Sequence, residues 1–528
     1  MWGSPTVKNR ASVVFWKRWT VIRMTYLGTF EFDSSDLVVP MNSPQLICSP
    51  CRHEWLAWPA LVMAGLLAFW PTVWFDFVNW DDPAYVWNND LIRSWSPATL
   101  YGIATETVTR NYAPLTIVTL LIDHTLWGMQ PSGYHATNVL LHVLNGILVY
   151  VLTRRLSQNS FVGWLTAALF LVHPVQIETV AWVSSRKGLL SATFILAALI
   201  VRLQPSGQAG TTDTDARQDL WYAVWLAAAL LSKALAIVVP PIVLLYDVFV
   251  LRRRLNDALL RQVIPGLMSL LLLFKTMAAQ QMVLGGLRGH LDMNLLQIIA
   301  VDVTILWQYV WMLVSPADLC VLYDPQTSGI SGRVAVATTG WVVVLLAVWR
   351  LRHRSPLLIW SATTGLLLLL PVLNFFRITT LMNDRYLYLP CVVFFAVAAT
   401  GLQRMFNRIS DPGNSLVRTF AAITRWSLSL GLVVAALSAT TQHLPVWKNS
   451  FTLWNHAMTQ VPQLPTVRMQ LALTHYDCGL KRQAIDILQG AVVECQPDEL
   501  DRQRMNDATR RWLLELGHHT ADMTKTRR

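Results

Sequence analysis

Long apolar runs separated by short polar and basic stretches dominate this chain. A helix that crosses a bilayer needs about 20 mostly apolar residues. Runs of that kind fall near 57–76, 136–153, 161–179, 187–203, 219–233, 235–251, 262–284, 333–350, 356–373, 386–403 and 422–441. They predict an all-α polytopic membrane bundle of eleven spans. With the N-terminus inside, Arg154-Arg155, Arg252-Arg253-Arg254, Arg350 to Arg354 and Arg404 to Arg408 all reach the cytoplasm, where Lys and Arg concentrate. Residues 297–315 are also apolar, but a full crossing would move the Arg350 cluster outside. This segment, which carries Asp302, is therefore predicted as re-entrant or interfacial. Residues 219–233 and 235–251 read as a tight hairpin with Ser232-Lys233 at its outward tip. The loop 77–135 and the chain after 442 then lie on the extracytoplasmic side. The domain reading is a cytoplasmic extension over 1–56, a membrane domain over 57–445, a helical tail over 446–515 and a disordered end over 516–528.

Composition agrees. The 528 residues are 54% hydrophobic and 14% charged, with a mean hydropathy of +0.40, whereas soluble domains carry about 25% charged residues. The 24 tryptophans suit aromatic belts at two interfaces. The net charge of +11 comes from clusters flanking apolar runs, so lipid and not nucleic acid is the expected partner. Cys48 and Cys51 lack the second pair that a zinc site needs. Lys8, Arg10, Lys17, Arg18 and Arg23 interrupt any signal-peptide core. Residues 11–30 read either as a basic amphipathic helix on the inner leaflet or as a plain extension.

From Trp447 the chain becomes amphipathic. Leu471, Ala472, Gly479, Ala484, Leu488 and Ala491 fall at the spacing of a tetratricopeptide repeat, a helical hairpin of about 34 residues. A generic hairpin is the plainer alternative. A single repeat cannot bury its own face, so it must cap or dock on something else, and this makes the tail a candidate protein-binding arm.

Chemistry-bearing residues gather at predicted outer ends of spans. Asp81 and Asp82 follow the first span, where carboxylates are costly unless they face water or a partner. One such acid suffices to deprotonate a hydroxyl, while the plainer reading has Asp82 capping a helix that starts at Pro83. His135, Asn138, His142 and Asn145 form one helical stripe, facing either a wet cavity or neighbouring helices as hydrogen-bonding glue. His173, Glu178, Arg186 and Lys187 form a further cluster. Arg186 and Lys187 suit a phosphate or lipid headgroups. Asn374, Arg377 and Asn383-Asp384-Arg385-Tyr386, with Lys233 at the hairpin tip, add cations on the same predicted side.

Several stretches resemble the transmembrane and tetratricopeptide-repeat O-mannosyltransferases and their bacterial relatives. They are Asn111-Tyr112-Ala113-Pro114-Leu115-Thr116, Gly133-Tyr134-His135-Ala136-Thr137-Asn138-Val139-Leu140-Leu141-His142, the run His173 to Trp182 with Arg186-Lys187, Pro316-Ala317-Asp318-Leu319, and Asp384-Arg385-Tyr386-Leu387-Tyr388-Leu389-Pro390. They cover most of 75–400 in matching order. That family is similar to the GT-C class of glycosyltransferases. The resemblance implies a polyprenyl-phosphate sugar donor, a site at the extracytoplasmic face and a carboxylate base in the first outer loop, carried onto Asp82 first and Asp81 second. Donor phosphate would be held by Arg186, Lys187, Lys233 and Arg385. Sugar or acceptor would meet Tyr112, His135, Asn138, His142, His173 and Glu178. Ala113, Ala234 and the single repeat depart from the family pattern and bear on donor geometry and acceptor choice.

The expected function is transfer of a sugar, with mannose a candidate, to a hydroxyl of a protein or glycan, with inversion. A divalent metal is compatible with this chemistry but not required by it. The membrane would be a bacterial plasma membrane, or the endoplasmic reticulum as the alternative. A transporter or flippase of a lipid-linked or anionic substrate is the competing class, although the chain shows no internal duplication of the kind many transporters have.

Overall fold

A computed structural model of the chain describes residues 54–109, 111–203, 212–281, 293–351, 355–375, 380–410 and 413–525. Cys48, Cys51, the segment 11–30, Arg352 to Arg354 and Arg377 lie outside the described residues, as does the extension up to residue 53. The rest is helical, with no strand among the described residues.

The helices in chain order are α1 (Glu54–Phe69), α2 (Pro97–Thr105), α3 (Pro114–Trp127), α4 (Pro131–Ser157), α5 (Ser160–Val172), α6 (Ile177–Ala181), α7 (Arg186–Arg202) and α8 (Thr212–Ser232). There follow α9 (Val239–Phe249), α10 (Leu255–Arg261), α11 (Val263–Gln281), α12 (Leu295–Val314), α13 (Ser331–Leu351), α14 (Pro356–Leu369), α15 (Pro390–Ile409) and α16 (Ser415–His443). The tail holds α17 (Ser450–Gln460), α18 (Pro465–Asp477), α19 (Lys481–Glu494) and α20 (Glu499–Lys525).

Local sequence explains the boundaries. Prolines open α2, α3, α4, α14, α15 and α18, where a missing N–H costs nothing. Asn159, Asn294 and Asn449 cap α5, α12 and α17 through side-chain oxygens. Gly146 lets α4 and α5 touch, since a Cβ there would lie 2.3 Å from the Leu171 side chain.

Among the described residues, six helices are long and apolar enough to cross a membrane: Ala57–Trp74, Pro131–Ser157, Val183–Arg202, Leu295–Val314, Ser331–Leu351 and Ser415–Trp447. Two bent pairs, Ser160–Val172 with Pro174–Ala181 (56°) and Leu255–Arg261 with Val263–Ala278 (53°), make eight if each pair is one span. The expected spans at 219–233, 235–251, 356–373 and 386–403 fall on helices outside that set. Large apolar side chains such as Val343 (60% exposed) and Leu345 (64%) on α13 stand bare, an arrangement that suits lipid.

The segment 297–315, expected as re-entrant or interfacial, is one uninterrupted helix, α12. Its Asp302 is buried, and Oδ1 accepts hydrogen bonds from the backbone N (3.2 Å) and side chain (2.7 Å) of Asn374, while Oδ2 has no hydrogen-bond partner among the described residues. Helix α20 runs as far as Lys525, and the last three residues of the expected end 516–528 lie outside the described residues. In the tail, Leu471, Ala472, Ala484, Leu488 and Ala491 are buried, and Gly479 turns the chain between α18 and α19 at a φ of +80°.

Candidate active site

The acid pair sits in the irregular segment after α1. Asp82 precedes the short helix Pro83–Trp87, but its side chain does not cap that helix. Instead Oδ2 accepts the Val78 N–H at 3.0 Å, and Oδ1 accepts the Ser184 N–H at 2.9 Å and the Ser184 hydroxyl at 2.5 Å. Asp82 is 1% exposed. Burial pushes its carboxyl up to about 6 against the pull of these three donors, with a smaller upward push from the Asp81 charge. The Asp81 side chain is 30% exposed, with Oδ2 3.5 Å from the Lys187 ammonium.

Opposite the acids, Lys187 also donates to the Tyr85 hydroxyl at 3.2 Å and lies 4.5 Å from the centre of that ring. Trp182 forms a shared floor: Lys187 lies 5.8 Å and the Arg385 guanidinium 5.3 Å from its ring. Arg385 is locked to the buried Glu178, by a side-chain ion pair and by its own N–H at 2.8 Å. Next to it, the Tyr323 hydroxyl donates to the buried Asp384. Burial and the nearby Glu178 charge push the Asp384 carboxyl well above its ordinary range. Lys233 comes from the far end of α8. A Cβ on Gly188 would lie 3.7 Å from its ammonium, and Lys187, Arg385 and Glu178 are the charges it feels. It has no ion pair among the described residues.

The structure thus gathers Asp81, Asp82, Glu178, Lys187, Lys233 and Arg385 from five separate chain segments. Other sequence candidates serve the frame. Arg186 is fully buried and bonds Asp123 (2.8 Å), the Tyr134 carbonyl (2.8 Å) and Asn138, so its guanidinium faces protein and not the chamber. Asn138 also donates to the Val180 (3.2 Å) and Trp182 (3.1 Å) carbonyls. His142 bonds the Tyr388 hydroxyl (2.9 Å) and the Leu171 carbonyl (3.2 Å). His135 is buried against the Phe75 and Phe77 rings. His173 accepts the Val175 N–H at 3.3 Å, capping the turn at Pro174. Tyr112 donates to the Ala104 carbonyl at 2.8 Å, with the Lys275 ammonium 3.5 Å above its ring. Sequence reasoning missed Ser184, Trp182 as the floor, and Asp123, whose signal was a lone carboxylate inside the apolar run of α3. No three His, Cys, Asp or Glu side chains among the described residues are arranged to hold a metal ion.

Fold and site together define a multi-pass helical membrane protein with a cluster of acids and cations gathered from separate segments. Comparison with known proteins adds the relatives. No protein-family model matches the chain. A protein O-mannosyl-transferase of Caenorhabditis elegans is 23% identical over 460 residues, covering 80% of this chain and 60% of that protein. The protein O-mannosyl-transferase TMTC3 of Homo sapiens is 24% identical over 445 residues, 72% of this chain and 47% of the relative. The human TMTC4 is 36% identical over a shorter 146 residues, 24% of this chain and 20% of the relative. The homologues are therefore the transmembrane protein O-mannosyltransferases that the motifs resemble, and the chain spans roughly half the length of those it matches most broadly. Among solved structures, the oligosaccharyltransferase of Archaeoglobus fulgidus aligns over 78% of this chain and 58% of its own, with 14% identity and a TM-score of 0.45. ArnT of Cupriavidus metallidurans bound to undecaprenyl phosphate aligns over 85% and 82%, with 13% identity and a TM-score of 0.39.

Proposed function

We propose that the chain is a membrane glycosyltransferase that moves a sugar, mannose by analogy with its named relatives, from a polyprenyl phosphate to a hydroxyl of a protein. The convergence of a partly exposed carboxylate with three cations, one lacking an ion pair among the described residues, carries this reading. The reaction runs at the extracytoplasmic face of an eleven-span bundle.

The donor is a phosphodiester monoanion, and its leaving group is a phosphate dianion. Lys233, Lys187 and Arg385 compensate the charge that develops as the anomeric C–O bond breaks and its electron pair passes to the phosphate. The acceptor oxygen bonds the anomeric carbon from the opposite side, which inverts the sugar, and gives its proton to a carboxylate. Exposure favours Asp81 over Asp82 for that proton. Asp82 is buried with hydrogen bonds on both oxygens, so on this reading it holds the loop to Ser184 and Asp81 takes the role of base that the sequence assigned to Asp82 first. Glu178 fixes Arg385 in place.

The test is transfer of tritium-labelled mannose from mannosyl polyprenyl phosphate to Ser/Thr peptides by the full chain in proteoliposomes. Labelled peptide supports the reading. A folded chain that transfers no sugar, while cells lacking it keep a normal glycoproteome, would sink it.

A further inference from the structure

The residues immediately before the acid pair are held by the tail. Asn79 is 7% exposed, and its polar groups turn to α17 and α18. Its backbone N–H donates to the Ser450 hydroxyl at 2.9 Å. Its side-chain amide donates to the Thr474 hydroxyl at 3.0 Å and the Gln470 carbonyl at 3.4 Å, and its oxygen accepts the Trp454 indole N–H at 2.5 Å. The Asp76 N–H donates to the Lys448 carbonyl at 2.9 Å, and Trp80 meets Trp454 edge to face. The same stretch touches the rest of the chamber. Trp447 lies 6.2 Å from Trp182, the floor under Lys187 and Arg385. His456 bonds the Leu319 carbonyl at 3.1 Å, and Gln463 donates to Asp324 at 3.0 Å.

Between the 3-10 turn that follows α1 and Pro83 the chain has no helix of its own, so these bonds set its path. The link to the acids is short: Val78, adjacent to Asn79, donates to Asp82, whose neighbour Asp81 faces Lys187. We propose that Asn79 is a positioning residue through which the first tail hairpin, α17–α18, sets the Asp81–Asp82 loop. The hairpin is then part of the transfer site and not a separable recognition arm. The proposal rests on the transferase reading above.

Three substitutions in the full chain, reconstituted in bilayers, test it. Thr474→Val keeps the shape and loses the hydroxyl, Thr474→Ser keeps the hydroxyl and loses a methyl, and Trp454→Phe removes the indole donor. Thr474→Val and Trp454→Phe should speed amide hydrogen exchange over 76–85 by about tenfold, the scale of one hydrogen bond. They should lower kcat by a similar factor with KM for mannosyl polyprenyl phosphate unchanged, because the cations that meet the donor are untouched. Thr474→Ser should behave as the parent. The reverse order, with Val harmless and Ser impaired, would mean packing alone and overturn the proposal, as would unchanged exchange and kcat. If the parent chain transfers no sugar, the transferase reading falls, while the exchange measurement still decides the clamp.

Discussion

Helices α7 and α8 run antiparallel, and their two ends handle charge in opposite ways. At one end the buried Arg202 pairs with the buried Asp247 at 2.6 Å and with Asp219 at 3.2 Å, while Arg261 takes the other Asp219 oxygen at 3.2 Å. At the other end, roughly 24 Å away along α7, Lys187 has a 3.5 Å partner that is 30% exposed, and Lys233 has no ion pair among the described residues. The first cluster neutralises itself and knits helices. The second leaves Asp81 partly exposed and Lys233 without an ion pair among the described residues. On the proposed reading, the open end is where a donor's charge would be met.

The largest effect expected from breaking this contrast is at the open end. Asp81→Asn should lower the transfer rate by about 10²–10⁴-fold, the range of a general base, with thermal unfolding unchanged. If rate and fold both survive, Asp81 is not the base. At the closed end the loss should be of fold and not of chemistry. Arg202→Ala removes the nearest partner of the buried Asp247 and leaves it Arg253 at 4.0 Å, which should cost about 3 kcal/mol, read as a lower unfolding midpoint in detergent.

Asp82 sharpens the comparison through pH. Its folded carboxyl lies at about 6 against 3.8 for the free group, so the native state holds the proton more tightly. Below about pH 4 both states are protonated and the burial of its charge costs nothing. As pH rises from about 4 to 6, the folded chain loses about 3 kcal/mol, and the loss is constant above that. Asp82→Asn should remove this slope from an unfolding series across pH 4–7, and a slope equal to the parent's would refute the assignment. A small effect on stability should come from Lys233→Met. Its removal relieves repulsion from Lys187 and Arg385, so the fold should change by less than about 1 kcal/mol, while KM for the donor rises roughly tenfold. A large loss of stability would place Lys233 with the closed cluster.

Much of the architecture was legible in one dimension because apolar runs of helix length, opening prolines and Asn caps are local signals. The run 161–179, read as one span, is bent by 56° at His173-Pro174. The membrane segments at 57–76, 136–153, 187–203, 333–350 and 422–441 coincide with helices long and apolar enough to cross. Segment 297–315 buries Asp302 against Asn374, a contact that loop-charge arithmetic cannot see.

For the site, the sequence by itself determined which segments carry acids and cations, and that Asp81-Asp82, Glu178, Lys187, Lys233 and Arg385 are too costly near lipid to be idle. Only the tertiary structure decided which of them remain available. Arg186 and Lys187 are neighbours in the chain, yet one is sealed against Asp123 and the other faces Asp81. Asp81 and Asp82 differ in the same way, and Asn79 acquires its role from a tail almost 400 residues downstream. The reason is physical: a charge's value depends on what surrounds it, and its partners here are set by folding and not by sequence distance.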